Sequence, residues 1–94
     1  MFLRRVPAGK EFRCSDGRII FDLESLKDAL GEMSDHTFAY HYNVARKDFC
    51  QWVRDVIWDE QLARSLAGAV NREKAAEIVA ERFDYLVELA NAGR

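Results

Sequence analysis

The chain has 94 residues, 49% of them hydrophobic and 32% charged, with a formal net charge of −2. This is the composition of one small globular domain that buries roughly 60–65% of its unfolded surface. The near-neutral balance argues against bulk electrostatic DNA binding, and no stretch approaches the ~18 apolar residues of a membrane helix.

The charge is uneven. In the first 18 residues Arg4, Arg5, Lys10, Arg13 and Arg18 stand against Glu11 and Asp16 alone, so the rest of the chain is net negative. Such a segment is either a solvated basic arm or a grip for RNA or an acidic protein surface. Cys14 and Cys50 lie far apart, and the start has no apolar run suited to a secretion signal. Reduced thiols in a cytoplasmic protein are the expectation.

Residues 1–10 read as an irregular arm, punctuated by Pro7 and Gly9. Residues 11–21 read as a β-hairpin, because Asp16-Gly17 lies between β-favouring residues and glycine accepts positive φ. A hairpin this short is marginal alone and must pack on helices.

Residues 22–92 read as helical. Asp22 is placed to cap a helix over 23–33, with Leu23, Leu26, Leu30 and Met33 as its stripe. Ser34 caps a short second helix, where Phe38, His41 and Tyr42 share a face and Asn43 is suited to a left-handed end. Asp48 with Gln51 matches a capping box for a third helix over 49–57, with Phe49, Trp52, Val53 and Val56 facing inward. Asp59 caps a fourth over 60–67, carrying Leu62, Ala63 and Leu66, and Gly68 stops it. Asn71 caps a final helix of about twenty residues with Ala75, Val79, Phe83, Leu86 and Ala90 along one stripe, widened by Ile78 and Val87. The expected fold is mainly α: a single domain, 1–94, in which a compact bundle of about five helices carries a short N-terminal β-hairpin.

Phe12, Asp16, Gly17, Ile20, Leu23, Leu26, Ala29, Leu30, Met33, Ser34, Asp35, Phe38, His41 and Asn43 stand in order. Asp48, Phe49, Trp52, Asp55, Val56, Asp59, Leu62 and Ala63 follow. This arrangement resembles a widespread family of small prokaryotic domains of unknown function, with the approximate pattern F…DG..I..L..L..AL..MSD..F..H.N….DF..W..DV..D..LA. The resemblance spans residues 12–66. Members of that family occur alone and attached to other domains, which implies an accessory or interaction module and no particular activity. Three positions depart from the pattern: Tyr42 replaces a small aliphatic residue, Lys47 an asparagine, and Trp58 a glycine.

His36 and His41, with Asp35 or Asp48, are candidate metal ligands. Residues five apart point about 140° from each other on a helix, so this spacing favours a packed His41 bonded to a carboxylate or carbonyl. Asp48 and Asp59 are explained by capping and Asp55 by pairing with a neighbouring arginine, whereas acid–base catalysis needs converging acids with separated pKa values. Cys50 begins a helix, which lowers a thiol pKa somewhat, but no histidine follows at a catalytic spacing. No catalytic residue, resident metal or cofactor is assigned.

Phe38, Phe49, Trp52 and Phe83 are expected in the core. Tyr40, Tyr42 and Trp58, with Arg54, have the composition of an interface hot spot, against the plainer reading of an amphipathic rim. The last helix is long for so small a domain and is a candidate C2 dimer surface. The leading expectation is a non-enzymatic protein-interaction module, an accessory subunit or adaptor, contacting its partner through Tyr40, Tyr42, Arg54 and Trp58. The alternatives are an RNA- or ribosome-associated factor using Arg4, Arg5, Arg13 and Arg18, and a small metal-dependent enzyme or sensor using His36 and His41.

Overall fold

Gly17 turns the chain at φ 93, and Phe12–Arg13 (β1) pairs antiparallel with Ile19–Ile20 (β2), Phe12 lying opposite Ile20. The computed structural model describes residues 3–93; residues 1 and 2 of the predicted arm and residue 94 lie outside the described residues. The arm is stitched to the hairpin where the Val6 N–H donates to the Phe21 carbonyl at 2.8 Å, and Val6 is buried.

Among the described residues five α-helices follow: α1 (Leu23–Glu32), α2 (Asp35–His41), α3 (Asp48–Trp52), α4 (Glu60–Ala67) and α5 (Arg72–Ala92). Between α3 and α4 the chain winds one π-turn, Val53–Ile57. The predicted architecture, mainly α with a short hairpin, is the one observed. Most helix starts are capped as their sequences dictate. The Asp22 carboxylate accepts the Ser25 N–H at 2.7 Å while the Ser25 hydroxyl accepts the Asp22 N–H at 3.0 Å. Ser34 accepts from the Thr37 N–H and Asn71 from the Lys74 N–H, each satisfying a donor with no partner inside its helix. The apolar stripe of α1 packs along α5, α5 also meets α4, and α3 with its π-turn packs on α4.

Two local expectations are corrected. Asp48 does not cap α3: the residue before the helix is Lys47, which makes no side-chain cap, and the Asp48 carboxylate turns instead to His41 and Arg46. Asn43 does not end α2 in the left-handed region, because among the described residues only Trp58 outside glycine has positive φ. Its amide side chain does the work, donating to the Ala39 carbonyl at 2.8 Å and accepting from the N–H groups of Ala45 and Arg46.

The centre is an aromatic column. Phe49 stacks on Phe12 at 5.0 Å and on Phe38 at 6.0 Å, and Phe38 stacks on Tyr42 at 4.8 Å. Phe12 thus carries the hairpin into the helical core, with Trp52 edge-on at 6.0 Å. On the final helix Phe83 is only half-buried and Ala90 is exposed, so the inward stripe is shorter than its sequence predicts.

Tyr42 is a further correction: it is 8% exposed and belongs to the core. Its hydroxyl faces the carbonyls of Leu66, Ala67 and Ala69 at 3.0, 3.1 and 2.6 Å, at the open end of α4. A helix end leaves its last carbonyls without partners inside the helix; here the Leu66 carbonyl also accepts the Ala69 N–H at 3.1 Å, and the tyrosine from α2's edge adds a side-chain donor to this cluster. Tyr42→Phe is expected to cost about 1–3 kcal/mol by leaving buried acceptors unmet. Burial holds the phenol pKa above its usual value of 10.0. The unfolded chain therefore loses this proton first, so the phenol's contribution is complete below pH 10.0 and falls as pH rises through the folded pKa. Denaturant melts across pH 8–12 should show that alkaline loss in the parent and a smaller one in Tyr42→Phe.

Candidate functional site

The four aromatic and basic residues expected to form one partner surface are separated. Tyr42 is inside. Tyr40 is half-exposed, with the Arg46 guanidinium over its ring at 4.6 Å and the His41 edge against it at 4.9 Å. Arg54 is exposed and pairs with Asp55 at 3.1 Å, beside a hollow lined by Lys47, Cys50, Gln51, Glu60 and Arg64. Trp58 stands elsewhere, at the wall of a groove of about 400 Å³ lined by Arg4, Arg5, Val6, Pro7, Val56 and Ile57.

The basic residues are divided as well. Arg4 and Arg5 reach the Trp58 groove, Arg13 is exposed on β1, and Arg18 is held by Glu32 at 2.7 Å. Two sets that looked unrelated along the chain therefore meet in part, two arginines against one tryptophan.

Trp58 is built into its place by the backbone. The π-turn ends with the Val53 carbonyl accepting the N–H groups of both Trp58 and Asp59. Closing that wide turn puts Trp58 in the left-handed region, at φ 68 and ψ 26. For a residue with a Cβ this region costs about 1–2 kcal/mol, which is why glycine is the usual occupant. The indole nitrogen folds back to donate to the Asp55 carbonyl at 2.9 Å, yet the residue remains 76% exposed. The ring is thus oriented and held, with most of its surface presented to solvent.

The histidines are placed differently from each other. His36 is exposed on α2. His41 is buried, and its Nε2 accepts the Ser15 backbone N–H at 2.9 Å. A backbone N–H can only donate, so Nδ1 carries the ring proton and donates to Asp48 at 3.0 Å. Arg46 completes the chain by donating to the same Asp48 oxygen at 2.6 Å. Both ring nitrogens are engaged, and the group pins the hairpin turn to α2 and α3. Among the described residues no three His, Cys, Asp or Glu side chains converge as metal ligands.

Asp59 has two duties. It caps α4 by accepting the Leu62 N–H at 3.1 Å, as its sequence position predicts. It also takes a two-pronged ion pair from Arg82 of α5, at 2.8 and 3.0 Å, while only 1% exposed. Nothing in the spacing of residues 59 and 82 announces that pairing.

Both cysteines are free and buried. Burial, with Asp16 nearby, pushes the Cys14 thiol up to about 11. Burial also raises the Cys50 thiol, which corrects the expected lowering by the helix start: desolvation of the thiolate outweighs the nearby Lys47 charge. Neither thiol is shifted toward the thiolate. No described helix is long and apolar enough to cross a membrane.

Sequence reasoning missed Val6 and Pro7 as groove walls and Arg82 as the partner of Asp59. The available signal for Trp58 is a large aromatic directly before the Asp59 cap, at the corner between two helices. No protein-family model, no curated protein and no solved structure matches the chain.

Proposed function

We propose that the chain is a non-enzymatic protein-interaction module, a small accessory subunit or adaptor, and that Trp58 with Arg4 and Arg5 is its contact surface. One observation carries the reading: a large aromatic occupies the one non-glycine left-handed position among the described residues and is 76% exposed. The fold gains little from it, because burial supplies the stabilisation of a ring and this ring is mostly in water. Strained outliers and π-turns concentrate at functional positions. Tryptophan and arginine are the residues on which binding energy concentrates.

Membership of the resembled family is part of the same proposal. In its support, the pattern's residues fall on positions with defined work: Gly17 in the turn, Leu23, Leu26 and Phe49 in the core, His41 and Asp48 at the hairpin anchor, Asp59 at a cap. The exposed Tyr85 and Leu89 on α5 favour a second contact surface there, the site for self-association.

The test is capture of partners from the source cells with nuclease present, comparing the parent with Trp58→Gly. The variant relieves the left-handed strain of about 1–2 kcal/mol, offset by about 0.5–1 kcal/mol of glycine's chain entropy. Its melting temperature should be unchanged or higher. Its stoichiometric partner should be lost. Retention of that partner by a folded Trp58→Gly would refute the site.

A further inference from the structure

We propose that the Trp58 groove takes a short acidic segment of another protein, with one bulky apolar side chain against Val6, Pro7 and Ile57 and its carboxylates on Arg4 and Arg5. This rests on the interaction reading above and adds the chemistry of the occupant.

The groove is lined by apolar residues and two arginines, and among the described residues no carboxylate lines it. Among the described residues neither Arg4 nor Arg5 forms a salt bridge with an acid of this chain. Arg5 is nonetheless positioned, its guanidinium lying over the Phe21 ring at 4.3 Å. Val6, the next residue in the chain, is buried and its N–H is bonded to the Phe21 carbonyl, so Arg5 is followed by anchored backbone. An arginine fork meets a carboxylate in two parallel hydrogen bonds, stronger than neutral ones, and an adjacent apolar wall excludes water from them.

Size and charge limit the occupant. A groove of about 400 Å³ accommodates one anchor side chain and its neighbours, the scale of a linear motif rather than of a folded domain. A long polyanion would need a continuous cationic track. Here Arg18 is already tied to Glu32 and the chain beyond residue 18 is net negative, and among the described residues two arginines line the Trp58 groove. Two charges beside an apolar wall suit an acidic peptide with an apolar anchor.

The experiment uses the full chain and a fluorescein-labelled peptide, Glu-Asp-Phe-Leu-Asp-Glu, read by fluorescence anisotropy at low and moderate salt. The peptide should bind the parent, with at least tenfold weaker binding to Trp58→Gly and to the double variant Arg4→Glu, Arg5→Glu, each checked as folded by circular dichroism. The analogue Gln-Asn-Phe-Leu-Asn-Gln should also bind at least tenfold more weakly, as should Glu-Asp-Gly-Ser-Asp-Glu. Equal binding of the neutral analogue, or no effect of the arginine variants, overturns the proposal. Tighter binding of oligouridylate through the same residues overturns it in favour of nucleic acid. Light scattering that shows a dimer dissolved by Trp58→Gly overturns it in favour of a second copy of this chain. A captured partner that depends on Trp58, with no peptide binding, refutes the acidic motif and leaves the interaction reading standing.

Discussion

Replacing Arg82 by alanine is expected to destabilise the protein by about 3–5 kcal/mol, because it leaves the Asp59 carboxylate buried without its counter-charge. Asp59 is 1% exposed, and both its oxygens are used by the Arg82 fork, one of them shared with the Leu62 N–H. After truncation only that backbone N–H remains among these contacts. The cost is the desolvation of an unpaired charge, and it exceeds the net value of the pair itself. For a chain of this size the melting temperature should fall on the order of 15 °C or more. Arg82→Lys keeps the charge and loses the fork, so it should fall between parent and alanine. The double variant Asp59→Asn, Arg82→Met removes both charges and should recover much of the loss. Urea melts of the four proteins decide the matter; an Arg82→Ala variant as stable as the parent would show that water already reaches Asp59.

Phe49→Ala is expected to cost a similar ~3–5 kcal/mol, by a different mechanism. Phe49 is 0% exposed and stands between Phe12 and Phe38, with His41 tilted against it at 5.4 Å. Its removal opens a cavity where hairpin, α2 and α3 meet. The loss should therefore be uneven. Hydrogen exchange at Cys14 and Ile20, whose bonds hold the hairpin, should accelerate more than exchange in the middle of α5. Uniform acceleration at all sites would mean that the hairpin and bundle open only together.

The two variants separate the forces in this small domain. One removes the partner of a buried charge and the other removes apolar volume. Neither touches Trp58, Arg4 or Arg5, so partner binding measured on the folded fraction should persist in both.

Much of the architecture was legible along the chain because it is local. Helix starts are signalled by a cap and the residue three positions on, as in Asp22 with Ser25 and Asn71 with Lys74. Stripes such as Leu23, Leu26 and Leu30 follow from helical periodicity, which any window of the sequence displays. Asp48 shows where locality fails. It has the spacing of a cap, yet an imidazole from α2 and a guanidinium two residues before it compete for the same carboxylate and win.

The sequence by itself determined the element order, the hairpin turn at Gly17, most of the core and the uneven charge, because each is set by residues within a few positions of one another. Only the tertiary structure decided that Tyr42 closes α4 from inside, that Asp59 belongs to Arg82, and that Trp58 meets Arg4 and Arg5 while Tyr40 and Arg54 lie apart. Those pairings join residues 23 to 54 positions apart. Their geometry comes from how the helices pack, and side chains that distant leave no periodic trace in the sequence.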